Sequence, residues 1–293
     1  GYESPTPTRE EEPRWAALRA AGVRVLLLRV RGYAGSRLDS GDWTTEPHGW
    51  LCRGLDATPA NPASPRAEDL LAWSLPQGVA DVVHACRALL ATLPEGARVS
   101  LAGESFGGAL AVLAGAALTH GADAREHPER VVIGLPSLGD WPWRLGPATP
   151  AGGSGSGSAG ATPRCGAGAG RAVREFLTLH ASREEELVER LRLFDTVVHA
   201  PRVRAPALVK LALRDDVVPA PTAAAVFNAL GSDPACKWRF VVPYGHFDGG
   251  LRNARRHALF DRCADVFLDP RVPACDTLAA WEGVMEEGER GPG

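Results

Sequence analysis

Two rhythms of hydrophobic and polar positions alternate along this chain. Val23–Val30 (VRVLLLRV), Val99–Ala102, Val131–Leu135, Ala207–Leu213 and Trp238–Val242 are short, nearly continuous apolar runs. Such runs suit strands buried on both faces of a parallel sheet. Between them, apolar residues recur at helical spacing. Glu10–Ala21 is a short helical stretch that ends at Gly22. Pro65–Leu93 places Val79, Val82, Val83, Cys86, Leu89 and Leu90 in a helical pattern, and Gly107–Leu118 is a helix of small residues. Further helices are predicted at Pro221–Leu230 and at Leu251–Leu268, where Leu251, Ala254, Ala258, Leu259, Val266 and Phe267 share a face. Strand and helix in alternation predict an α/β fold, with a doubly wound, mostly parallel sheet and helices on both faces. The twist of the strands makes the crossovers right-handed.

Some segments break the rhythm. Residues 33–66 are rich in Gly, Pro, Ser and Asp and read as a long surface loop. Ala151–Gly170 (AGGSGSGSAGATPRCGAGAG) is of low complexity, cannot bury a core and reads as a flexible insertion. A helical, cap-like segment follows it at 171–195. The expected organisation is one domain over 1–270, carrying that insertion, and a C-terminal tail over 271–293 with disordered last residues.

Composition narrows the function. At 293 residues the chain can bury a large core, and its 45% apolar content is that of an ordinary globular protein. A net charge of -3 gives no electrostatic basis for binding nucleic acid. No apolar run is long enough to span a membrane. Six cysteines, at 52, 86, 165, 236, 263 and 275, form no CxxC pair and hence no zinc or redox motif. Their scatter favours free thiols and a reducing, cytoplasmic setting. The chain opens on Gly1 and not on Met, so a preceding leader is not visible.

Chemistry concentrates at Gly103-Glu104-Ser105-Phe106-Gly107-Gly108. This is a G-x-S-x-G pattern between a strand and a helix, the context in which such a serine stands on a sharp turn as a nucleophile. Gly103 and Gly107 are expected where a β-carbon would collide with the neighbouring chain. The helix N-terminus favours negative charge at Ser105, and the backbone N–H of Phe106 is placed to donate to an oxyanion. A glycine-rich turn can also hold a phosphate or merely turn, but strand, helix and second glycine together favour the nucleophile.

Two later strands end in the partners such a serine needs. Ala207–Leu213 runs into Arg214-Asp215-Asp216, and Trp238–Val242 into Pro243-Tyr244-Gly245-His246. Both lie at carboxyl ends of strands, where ligand chemistry gathers in open α/β sheets. A histidine takes and returns a proton near neutrality, and a carboxylate fixes its tautomer. Of the seven other histidines most read as surface or helix residues, His84 and His257 among the latter, and His246 is preferred because a strand and Tyr244-Gly245 precede it. Spacing does not separate Asp215 from Asp216, and Asp195 is a weaker third carboxylate because it precedes its strand.

Over most of residues 1–250 these motifs resemble the acetyl xylan esterase and cephalosporin-C deacetylase family of carbohydrate esterases, α/β-hydrolases in fold. Members carry Arg-Gly-Gln, a G-x-S-Q-G-G elbow, an Asp before Pro-Pro-Ser-Thr, and His-Glu. The corresponding stretches here are Arg31-Gly32-Tyr33, the elbow, Asp215-Asp216-Val217-Val218-Pro219-Ala220-Pro221-Thr222, and His246-Phe247. Pro136–Asp140, Leu193-Phe194-Asp195, Arg202–Val209 and Phe227-Asn228 resemble further family stretches. The resemblance implies Asp215, and not Asp216, as the catalytic carboxylate. It also implies that the Tyr2 backbone N–H joins Phe106 in the oxyanion hole, because Gly1-Tyr2 resembles the family's His-Gly-Tyr. The strands that precede that motif in the family are absent, so the chain reads as a fragment of a longer protein. Tyr33, Phe106 and Phe247 replace Gln, Gln and Glu.

The expected function is therefore a serine carboxylesterase that removes acetyl groups from sugars, such as acetylated xylo-oligosaccharides, or from related small esters. Ser105, His246 and Asp215 would form the triad and an acyl-enzyme the intermediate. No metal or organic cofactor, nucleic acid or membrane is implied, and the family's hexamers imply a homo-oligomer. Two rivals stand beside it. One is another hydrolase of the same fold, a peptidase or a dienelactone-type hydrolase. The other is a non-catalytic, decayed member acting as a scaffold, suggested by the three replacements.

Overall fold

The computed structural model describes residues 15–33, 48–58, 67–146, 164–246, 249–277 and 281. Four strands form its sheet: β1 (Leu101–Glu104), β2 (Val131–Gly134), β3 (Ala207–Ala212) and β4 (Lys237–Val242). They are all parallel and lie in the order β1-β2-β3-β4. The helices are α1 (Ala16–Ala20), α2 (Gly49–Cys52), α3 (Ser74–Ala91), α4 (Phe106–Thr119), α5 (Trp141–Leu145), α6 (Ala169–Leu179), α7 (Glu184–Arg192), α8 (Thr196–His199), α9 (Ala220–Ala229) and α10 (Gly250–Leu268). No described helix is long and apolar enough to cross a membrane.

The period-two geometry of strands sorts the core into two layers. Val131, Ile133, Ala207 and Val209 point to one face, where Val83, Cys86 and Leu90 of α3, Val112 of α4 and Val226 of α9 cover them. Val132, Leu208, Phe240 and Val242 point to the other, against Leu259, Phe260, Cys263 and Phe267 of α10. Both faces of β2 and β3 are thus dry, which is why their sequences read as apolar runs, interrupted in β3 only by the buried Lys210. Each of the Val, Leu, Ile and Phe side chains among them contributes about 1.5–3 kcal/mol on burial. This is the α/β sheet with helices on both faces that the pattern predicts.

Four local expectations need correction. Val23–Val30 pairs with no strand among the described residues, and Leu26, Leu27 and Leu28 remain 51%, 43% and 40% exposed. Its composition permits burial, but pairing requires a neighbour that the run itself cannot supply. Residues 33–66 are not all surface loop, because Trp50, Leu51 and Leu55 are fully buried. Trp50 Nε1 donates to Arg31 O at 2.8 Å, and Trp73 Nε1 to Leu51 O at 2.6 Å. Gly78 of α3 makes room, since a β-carbon there would lie 2.7 Å from the Trp50 ring. Residues 164–170, the end of the low-complexity stretch, are packed: Cys165 is buried and α6 already starts at Ala169. Finally, Cys236 and Cys275 form a disulfide with Cα atoms 4.7 Å apart, whereas Cys52, Cys86, Cys165 and Cys263 are free and buried. The bridge ties the segment after α10 to the start of β4, and Trp281 packs edge-on against Trp238 nearby, ring centroids 5.3 Å apart.

Candidate active site

The site is built on the carboxyl ends of the strands. Ser105 stands between β1 and α4 with φ 53° and ψ -112°, a conformation that a residue with a β-carbon adopts only under constraint. The constraint is visible on both sides. Its N–H donates to Gly134 O at 2.7 Å, and its carbonyl accepts from Ala109 N at 3.1 Å as the helix begins. A β-carbon on Gly103 would lie 2.1 Å from Gly107 O, and one on Gly108 would lie 2.4 Å from Gly134 O. Gly107 itself faces open space. The close-packed pair is therefore Gly103 and Gly108, not Gly103 and Gly107. The reason is that α4 leans on β2 through its third residue and leaves its second free.

Phe106 opens α4 with its ring buried, stacked on Tyr33 with centroids 6.2 Å apart and edge-on to Trp50 at 4.9 Å. Two of the three positions that depart from the family motifs thus touch each other. Tyr2 and Phe247 lie outside the described residues.

Asp215 follows β3 and His246 follows β4. His246 Nδ1 and Asp215 Oδ2 are 2.7 Å apart, with side chains 1% and 0% exposed. A carboxylate only accepts, so Nδ1 carries the proton. Asp215 Oδ1 accepts from Val217 N at 2.9 Å and Val218 N at 2.8 Å, which fixes the carboxylate from the far side. Arg214 N donates to Tyr244 O at 3.0 Å, so the two loops are also joined through their backbones. Asp216 is exposed, and its carbonyl accepts from Ala167 N at 2.6 Å. The end of the low-complexity stretch therefore abuts the loop that carries Asp215.

Asp195 does a different job. It caps α8 through Val197 N at 2.8 Å and accepts from Asp140 N at 2.9 Å and Trp141 N at 2.8 Å. Burial pushes its carboxyl pKa up despite those donors. Arg144 of α5 is wholly buried over the Trp141 ring, 4.9 Å from its centroid. It donates to Ser137 O, and to Cys165 O at 2.6 Å and 3.1 Å. Burial lowers its pKa to about 10, opposed by the nearby carboxylates of Asp195, Asp215 and Asp140. These contacts hold residues 164–168 beside the site. Of the other histidines weighed from sequence, His84 is exposed on α3, and His257 lies half-buried on α10. His257 and Lys210 are polar partners that helix and strand patterns did not single out. A lysine inside the apolar run of β3 was the available signal. Burial raises the thiol pKa of Cys52 to about 12 and those of Cys86 and Cys263 to about 11, which makes these thiols poor nucleophiles. Among the described residues, no group of three or more His, Cys, Asp or Glu is placed to hold a metal ion.

With this geometry in view, comparisons with known proteins agree on a direction. A model of the acetyl xylan esterase family matches residues 169–260, the part that carries Asp215 and His246. Acetyl xylan esterase 1 from Thermoanaerobacterium sp. JW/SL YS485 is similar in structure, with a TM-score of 0.62 and 23% identity over 89% of this chain and 72% of that one. An acetyl xylan esterase from Paenibacillus sp. R4 has a TM-score of 0.61 and 22% identity over 89% of this chain and 71% of that one. No curated protein sequence matches. The structural likeness establishes the α/β-hydrolase fold, and the family match supports a carboxylic ester hydrolase.

Proposed function

We propose that the chain is a serine esterase that removes acetyl groups from acetylated sugars or related small esters. One observation carries the triad: the dry Asp215–His246 pair, at 2.7 Å, stands at the same carboxyl end of the parallel strands as Ser105 on its strained turn. With Nδ1–H given to Asp215, the Nε2 lone pair is the base. Ser105 Oγ attacks the ester carbonyl carbon while His246 Nε2 takes the hydroxyl proton, and the carbonyl π electrons move to oxygen. The Phe106 N–H, with the Tyr2 N–H as second donor, stabilises that oxyanion. Collapse of the tetrahedral adduct expels the sugar alkoxide, which receives the proton from His246. Water, deprotonated by His246, then attacks the acyl-enzyme and releases acetate and Ser105. Asp215 stays ionised and stabilises the imidazolium in both halves. No cofactor enters either step.

The family match supports the acetyl ester, and copies of this chain are the proposed oligomer partners. The test is hydrolysis of p-nitrophenyl acetate and of acetylated xylo-oligosaccharides by the folded chain beside Ser105→Ala. A rate that vanishes in the variant, together with acetate released from the sugar, is the expected result. Equal background rates in both would end this reading.

A further inference from the structure

One row of residues crosses the sheet just beneath the elbow. Glu104 pairs in register with Gly134, and Gly134 with Lys210. Register partners share a face, so Glu104 and Lys210 point the same way from strands about 9.5 Å apart. They meet over β2 because Gly134 has no side chain between them. Glu104 Oε1 and Lys210 Nζ are 2.6 Å apart, and a β-carbon on Gly134 would lie 2.1 Å from Glu104 Oε2.

The row continues to α10. Lys210 is 2% exposed, and its Nζ also lies 3.0 Å from His257 Nδ1 and 4.5 Å over the Phe260 ring. The other ring nitrogen, His257 Nε2, is 3.3 Å from Gly245 O, the carbonyl next to His246. Lysine only donates, so Nδ1 accepts, and Nε2 carries the hydrogen given to Gly245 O. His257 is thereby neutral, and burial first, then the Lys210 charge, hold its pKa low. The chemistry suits lysine and not arginine. A compact ammonium can serve a carboxylate, an imidazole and a ring face in three directions, whereas a planar guanidinium cannot. Of the 32 basic residues other than histidine, only Lys210 and Lys237 are lysines, so this position departs from the chain's usual choice of arginine.

We infer that Glu104, Lys210 and His257 are positioning residues that tie the residue before Ser105 to the residue before His246, and so hold nucleophile and base in register. The inference rests on the proposed roles of Ser105 and His246. It extends them to three side chains that touch no reacting atom.

The experiment measures kcat and KM for p-nitrophenyl acetate with the full chain, with Ser105→Ala, and with His257→Leu, His257→Gln and Lys210→Met, each checked for folding. A small displacement between reacting groups costs rate and not binding. His257→Leu and Lys210→Met are therefore expected to lose about 10- to 100-fold in kcat with KM within about twofold. Glutamine can accept from Lys210 at Oε1 and donate to Gly245 O at Nε2, so His257→Gln is expected within about threefold of wild type in kcat. A folded His257→Leu with wild-type kcat, or a His257→Gln no better than His257→Leu, overturns the inference while Ser105-dependent activity persists. Should His257→Leu not fold, Lys210→Met carries the same thresholds. Equal rates in wild type and Ser105→Ala overturn the underlying function, and the inference with it.

Discussion

The elbow and the proposed acid–base loops reach the same carboxyl end of the parallel strands by opposite means. Gly103–Gly108 is six contiguous residues whose backbone does the work: two glycines without room for a β-carbon, and a serine forced to positive φ. The Asp215–His246 pair is drawn from segments 31 residues apart, and it exists only because β3 and β4 lie side by side. The first element is specified locally and fails by steric conflict. The second is specified by the sheet and fails by loss of alignment. Catalytic damage should therefore be possible at either, but steric damage to the backbone should belong to the elbow.

Breaking each in turn makes that difference measurable. Ser105→Ala removes the proposed attacking oxygen and should lower kcat for p-nitrophenyl acetate by a factor on the order of 10,000 or more, with the melting temperature unchanged. Asp215→Asn keeps the shape but reverses the hydrogen-bond demand on His246 Nδ1. It should cost about 1,000-fold in kcat, since an amide that donates there favours the wrong tautomer. A near-wild-type rate would remove Asp215 from the proposed triad.

The elbow itself separates its glycines. Gly103→Ala places a methyl against the Gly107 carbonyl and should destabilise the fold by about 3 kcal/mol in urea unfolding. Gly107→Ala meets nothing, sits in a helix and should change stability by no more than about 1 kcal/mol, in the favourable direction. Equal losses at both would mean that the turn is held by something other than these close approaches.

The smallest effect is one of pH. The folded-state pKa of His257 lies below its ordinary value, so the native state binds fewer protons than the unfolded chain as the solution is acidified. The stabilising contribution is complete above the unfolded pKa of about 6.5 and is lost as pH falls through the folded value. Lys210 opposes its protonation, as does His246 when it is itself protonated, whereas the Gly245 carbonyl and Glu104 favour it. Between about pH 7 and about pH 5 the wild-type melting temperature should fall further than that of His257→Gln. Parallel curves would show that His257 does not titrate differently in the folded state.

Much of this architecture was readable from pattern. β2, β3 and β4 are buried on at least one face, and their apolar runs fall within a residue or two of the observed strands. The helices after β1 and β3 were equally plain, because Gly, Pro and strand ends bracket them. Val23–Val30 is the exception, since an apolar run reports willingness to be buried and not the presence of a partner. Trp50 shows the converse. Its surroundings read as loop, yet Gly78 and the Arg31 carbonyl give it a closed seat.

The sequence by itself determined the elbow, the serine, the alternation of strand and helix, and two loops able to supply acid and base. All of these are encoded within a few residues or by a simple period. Spacing did not separate Asp215 from Asp216, although the family resemblance implied Asp215; only the tertiary structure brought Asp215 against His246, and decided that Gly108 and not Gly107 is the second indispensable glycine of the turn and that Lys210 reaches Glu104 across Gly134. Each depends on which strand lies beside which and in what register, and no local run of residues carries that information.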